Sequence, residues 1–149
     1  MERAQNMADL FHDFPVNASA HRVFQAVSSP VGLDTWWTKN SWGSPEKGAE
    51  YKLWFGPDYD WRARVTRLVP DKEFELEITV AHKDWLHTRV GFHLSEKGGV
   101  TQVRFHHTGW PEPNEHYRIS SYCWAMYLRL MKRFVEVGEV VPYEKRLEV

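Results

Sequence analysis

Residues 114–137 read NEHYRISSYCWAMYLRLMKRFVEV, and the phase of this run decides the fold. Arg118, Ser121, Ala125, Arg129, Lys132 and Glu136 recur every three or four residues, so they share one line of a helix and leave most of its circumference apolar. That line is expected to face water. Opposite it run Cys123, Tyr127, Leu130 and Phe134, flanked by Tyr122, Met126 and Val137 on one side and by Trp124, Leu128, Met131 and Val135 on the other. Asn114 after Pro111 and Pro113 suits an N-cap, and Gly138 suits the residue that ends the helix. A helix this apolar needs a wide partner to bury against.

The partner is legible upstream as a series of short strands. Phe74, Leu76, Ile78 and Val80 alternate with Glu73, Glu75, Glu77 and Thr79, the pattern of a strand with one buried and one wet face. Tyr51, Leu53 and Phe55 alternate in the same way, as do Trp61, Ala63 and Val65, then Thr88, Val90, Phe92 and Leu94, and finally Val103, Phe105 and His107. Gly56-Pro57-Asp58, Pro70-Asp71-Lys72 and Lys97-Gly98-Gly99 mark the turns. Loops this short favour antiparallel neighbours, because parallel pairing needs long crossovers. On the wet face, Arg62 and Arg64 stand ready to pair with Glu73, Glu75 and Glu77. Before the meander, Leu10 to Val16 reads as a strand. Two short helices follow it, one carrying Val23, Phe24 and Val27 after a cap in Asn17-Ala18-Ser19, the other carrying Leu33, Trp36 and Trp37 after Pro30. Thr38 to Gly48 reads as a polar surface loop. The expected class is α+β, a curved antiparallel sheet wrapped around a long C-terminal helix with two short helices after the first strand.

Bulk properties narrow the function. A chain of 149 residues is of single-domain length, taken here as one domain over 1–149. The 19 basic and 20 acidic residues are interleaved and leave a formal net charge of −1, which argues against nucleic acid as a partner. A lone cysteine, Cys123, suits a reducing compartment and is expected buried on the inner helix line. Met1 to Phe14 contains no apolar run fit for a signal peptide or membrane span, so a cytoplasmic location without membrane insertion is expected. The aromatic content is high, 15% with 8 Trp, which suits either a bulky core or an aromatic-lined cavity.

The chemistry-bearing residues are sparse. His106 and His107 are adjacent on a strand and so face opposite sides, and no paired-histidine motif or CxxC occurs, so no metal site and no cofactor are expected. His107, in register with Val103 and Phe105, is expected inside, as a satisfied core histidine or as a hydrogen-bonding partner for a ligand. Cys123 lacks a sequence-local activating base. Trp36, Trp37, Trp54 and Trp110 could cage a cation, though core and rim packing is the favoured explanation.

Several of these features together resemble the START-like or Bet v 1-like helix-grip superfamily, and within it the group similar to the activator of Hsp90 ATPase homologue. The resemblance spans Phe14 to about Gly138. It rests on Val16-Asn17-Ala18-Ser19 leading into Val23-Phe24, on Ser29-Pro30 before Leu33 and Trp36-Trp37, on Gly48, on Thr108-Gly109-Trp110, and on Trp124, Leu128, Met131 and Gly138. Members often carry Gly before the helix Trp; here Cys123 fills that space. The resemblance implies an apolar cavity between sheet and terminal helix and transfers no catalytic residue. The inward positions nominate Trp36, Trp37, Tyr51, Leu53, Phe55, Val65, Leu76, Ile78, Val90, Phe92, Phe105, His107, Tyr122, Cys123, Met126 and Tyr127 as its lining. Three functions follow as expectations: binding of a small hydrophobic or aromatic ligand, a cyclase or hydrolase using His107 and Tyr127 as acid and base, or, as the family name implies, co-regulation of a chaperone partner. The protein is expected to be a monomer or a homodimer.

Overall fold

A computed structural model describes residues 7–149; residues 1–6, part of the segment read as lacking a leader, lie outside the described residues. The chain runs β1 (Ala8–Val16), α1 (Ala20–Ser28), α2 (Pro30–Trp36), β2 (Asn40–Trp42), β3 (Glu50–Trp54), β4 (Asp60–Val69), β5 (Glu73–Val80), β6 (Arg89–Lys97), β7 (Val100–Trp110), α3 (Glu115–Val137) and a terminal 3-10 helix (Tyr143–Glu148). The strands form one antiparallel sheet in the order β1-β7-β6-β5-β4-β3-β2, a meander from β2 to β7 with β1 laid beside β7. This is the helix-grip fold expected from the alternating strands and the long final helix. No helix among the described residues is long and apolar enough to cross a membrane.

Local chemistry explains the elements ahead of the site. Ser29 ends one helix and starts the next: its N–H donates to Gln25 O at 3.1 Å, while its hydroxyl oxygen accepts from Gly32 N at 3.0 Å. Pro30 sits in the first turn of α2, where a missing N–H costs nothing. A Cβ on Gly32 would stand 2.5 Å from Gln25 O, so only glycine lets the two short helices meet. Their junction is held by the Trp36 indole donating to Ala26 O at 2.9 Å. The loop from Thr38 to Gly48 is less purely superficial than its composition suggests. It contains the edge strand β2, and Ser41 donates to Asp34 Oδ1 at 2.8 Å from a buried position.

α3 is capped as expected, with Asn114 Oδ1 accepting from Tyr117 N at 2.9 Å and Gly138 left-handed at φ 73°. Its rotation differs from expectation. The buried line is Trp124, Leu128, Met131 and Val135, with Ser120 and Leu130 beside it, whereas Tyr122 is 80% exposed and Val137 also faces water. The reason lies in the polar line thought to be wet. Lys132 Nζ donates to Pro15 O and to Glu136 Oε2, Asn17 N donates to Glu136 Oε2 at 2.7 Å, and Ser121 Oγ lies 3.4 Å from His12 Nε2. Polar residues thus dock α3 against β1 and its following loop, and the helix turns by roughly one residue's step of 100°.

Candidate functional site

Where the grip closes, the space between α3 and the sheet is filled by aromatic rings. Trp124 projects from α3 and lies 4.6 Å from Phe105, 5.1 Å from Trp37 and 5.9 Å from Trp85 between ring centroids, nearly parallel to the last at 19°. Trp85 comes from the β5–β6 connection and also meets His107 at 4.6 Å and Trp61 at 4.9 Å. The gap left between them is about 40 Å³, lined by Trp37, Trp85, Ser120, Cys123, Trp124 and Tyr127. That is room for on the order of one or two water molecules. The indole N–H groups of Trp85 and Trp110 are buried without a hydrogen-bond partner among the described residues.

His107 is wholly buried and its tautomer is forced. An indole N–H can only donate, so Trp124 Nε1–H gives its hydrogen to His107 Nδ1 at 3.0 Å. Nε2 therefore carries the ring proton and donates it to Thr88 Oγ1 at 2.8 Å, and the Thr88 hydroxyl donates onward to Trp85 O at 2.5 Å. Burial first, then the positive neighbours His106 and His116, push its pKa down to about 3. Both ring nitrogens are committed, so His107 is a neutral strut joining β7, α3 and the Trp85 turn. Tyr127 is pushed up to about 12, mainly by burial, and burial also raises the Cys123 thiol. No activated acid, base or nucleophile results.

The expected lining residues divide into three groups. Trp36, Trp37, Tyr51, Leu53, Val65, Leu76, Ile78, Val90, Phe92, Phe105 and His107 are all buried in one core with Phe55 packed against it. Of these, only Trp37 borders the gap. Tyr51 is a strut, its hydroxyl donating to Ser28 O at 2.5 Å. On α3, Cys123 and Tyr127 border the gap but are half-buried, Met126 is half-buried away from it, and Tyr122 points outward, all consequences of the rotated helix. The expected burial of Cys123 is thus corrected to a half-buried position at the rim. Trp85, Ser120 and Trp124 border the gap although the sequence reading left them out of the site. Trp124 could have been found by moving the helix phase one residue; Trp85 sits in a turn, where no periodicity reports direction.

Two polar clusters lie outside the grip. On the outer face Glu75 is buried despite its place in the wet register, because His106 reaches it at 2.7 Å and Thr66 at 2.8 Å. Burial alone would raise its carboxyl, but those hydrogen bonds and the charges of His106 and Arg89 bring it down to about 2. The second cluster corrects the expectation of no histidine pair beside a carboxylate: the fold brings His82 and His116, 34 positions apart, to either side of Asp84.

The fold has several counterparts among solved structures. The Aha1 dimer from Colwellia psychrerythraea superposes with a TM-score of 0.80 at 28% identity over 89% of this chain and 99% of that one. A protein from Mesorhizobium loti gives 0.76 at 16% identity over 89% and 100% of the two chains, and CalU16 from Micromonospora echinospora gives 0.70 at 18% over 98% and 95%. The last two share the fold alone. No curated protein matches the chain. Residues 17–136 match the family described as activator of Hsp90 ATPase homolog 1-like protein, and the chain belongs to that family.

Proposed function

We propose that the protein binds a small apolar, planar molecule carrying a hydrogen-bond acceptor, at the gap beneath the first half of α3. The observation that carries this reading is that Trp85, which borders the gap, has a buried indole N–H without a partner among the described residues. An unsatisfied buried donor costs about 1–3 kcal/mol, and an acceptor delivered by a ligand removes that cost. Ligand pockets usually offer ~300–1,000 Å³, far more than the resting gap of about 40 Å³, so the site opens on binding. Trp85 is the group that moves: it plugs the cluster from the turn between β5 and β6, whereas Trp124 is on α3 and Trp37 caps the end of α2, its N–H donating to Leu33 O. The proposed contacts are Trp37, Trp85, Cys123, Trp124 and Tyr127, with Phe55 and Phe105 behind them. A hydrolase or cyclase using His107 is disfavoured, since neither ring nitrogen is free.

Titration with planar aromatic acids, ketones and the dye ANS should quench tryptophan emission and shift the Trp85 indole proton resonance downfield. Trp85→Leu should admit the dye faster but hold acceptor-bearing ligands more weakly than the parent, because the indole donor is gone. A flat response in both proteins sinks this reading.

A second reading is favoured by a separate observation. Ile119 and Tyr122, one turn apart, expose apolar surface on the outer face of α3. The family description names an Hsp90 activator and the Colwellia relative is described as a dimer, so a second copy or a chaperone could cover this face. Tyr122→Lys should then lower the sedimentation mass or abolish chaperone pull-down while leaving ligand titration unchanged.

A further inference from the structure

The turn after β5 and the start of α3 meet in a cleft of about 520 Å³, separate from the aromatic gap. Asp84 lies at its base, only 7% exposed. Its Oδ2 stands 3.0 Å from His116 Nδ1 and 3.7 Å from His82 Nδ1, and the two imidazoles cross edge to face at 4.8 Å. One donor atom from each of the three residues falls within 4.8 Å of the others.

Such a trio is either a hydrogen-bonded knot or the donor set of a cation, and its details favour the cation. The Asp84 backbone N–H donates to His82 Nδ1 at 3.1 Å, so that nitrogen carries no proton. Its one lone pair accepts from that N–H, so the ring must turn for the pair to meet a positive ion between it and the carboxylate oxygen 3.7 Å away. Donors held at about 2.1 Å around a tetrahedral ion stand ~3.4 Å apart. The 3.0 Å pair must open and the 3.7 Å pair close by similar small amounts, and the His82–His116 pair, within 4.8 Å, must close by up to about 1.4 Å as the imidazoles rotate. The carboxylate is also held in place: Asn114 Nδ2 donates to the same Oδ2 at 3.3 Å, while Asn114 Oδ1 caps α3. Support of this kind around the ligands is what metal sites use to hold geometry.

We propose that His82, Asp84 and His116 form a binding site for a divalent transition-metal ion of the zinc type. Two imidazoles and one carboxylate are the borderline donors that suit such an ion, and three protein ligands leave a fourth position for water from the cleft. Glu112 and Tyr59 line the same cleft and face that position's surroundings. The bound ion ties the β5–β6 turn to the N-terminus of α3.

The test is calorimetric titration of the chelator-stripped full chain with Zn²⁺, paired with the visible absorption of the Co²⁺-loaded protein. The parent should take up one equivalent, show d–d bands of low coordination number, and melt at higher temperature with Zn²⁺ present. His82→Ala, His116→Ala and Asp84→Asn should each weaken binding by roughly 100-fold or more, at or beyond the usual cost of losing a supporting partner. His21→Ala, which removes an exposed histidine paired with Asp71, should bind as the parent does. The His82 side chain is half exposed, so His82→Ala keeps the fold even if Asp84→Asn does not. Parental affinity in both histidine variants, or no one-equivalent binding by the parent, overturns the proposal.

Discussion

His107 gives the protein an acid sensitivity whose sign follows from its position. Unfolded, it takes a proton near pH 6.5; folded, burial holds it neutral down to about 3. Between those values the unfolded chain binds the extra proton, so the contribution is complete above about pH 6.5 and is lost as pH falls, by up to about 1.4 kcal/mol per unit. Glu75 adds to this lower down, since its folded pKa of about 2 lies below the ordinary glutamate value of 4.5 and its contribution fades as pH falls through that interval. Urea midpoints should therefore decline between pH 7 and 4.5, and the His107 ring resonances should not shift over that range; a flat midpoint would contradict the neutral assignment. A neighbouring residue tests the outer cluster. A Cβ at Gly91 would lie 2.5 Å from His106 Cε1, and the ring cannot yield without leaving Glu75. Gly91→Ala should cost roughly 1–3 kcal/mol, the range for stranding a buried polar group, and should shift the acid midpoint upward. That His107 points inward was legible from period two alone. Glu75 was not, because the alternation reports which face a residue is on and says nothing of the histidine that covers it.

At the scale of the element, α3 shows how a helix pattern can place a fold yet misplace a site. Its length, caps and broad apolar face were readable, but its phase was read from an assumption that polar means wet. Ser121, Lys132 and Glu136 are polar because β1 and the Asn17 turn offer polar partners. Moving the buried line to Trp124, Leu128, Met131 and Val135 changes which substitution probes the gap. Met126 no longer does, and Cys123, which borders it, replaces it. Cys123→Leu should fill the space, leaving stability within about 1 kcal/mol of the parent, against the 1–3 kcal/mol typical of overpacking a solid core. It should also abolish dye binding if the gap is the ligand site. Chemical melts and ANS titration of this one variant read both effects. A loss of stability beyond 3 kcal/mol would mean the gap cannot accept a side chain, and unchanged dye affinity would move the site elsewhere.

Across the whole molecule, the antiparallel order and the two short helices were legible because hydrophobic periods and turn residues are local signals. The parts that escaped notice depend on distant partners. The turn carrying Trp85, the edge strand β2 and the terminal 3-10 helix have no period of their own. Arg146 makes the last of these part of the fold: it is buried, and its guanidinium donates to Thr38 O at 3.2 Å, Asp34 O at 2.6 Å and Val141 O at 3.1 Å. A cation against the closing carbonyls of α2 also meets the negative end of that helix, so charge and hydrogen bonding act together. The same segment places Tyr143 against Phe55 O at 3.3 Å, near the half-buried Tyr127 at the rim of the gap. Arg146→Ala should therefore do two things at once. It should destabilise by about 2–4 kcal/mol, as expected for hydrogen bonds from a charged donor, and it should free the C-terminal segment for limited proteolysis near Val140. Arg146→Lys keeps the charge but cannot span three carbonyls with one nitrogen, so it should recover less than half of the loss. If both variants melt as the parent does and resist the protease, the terminal segment is not anchored through this residue.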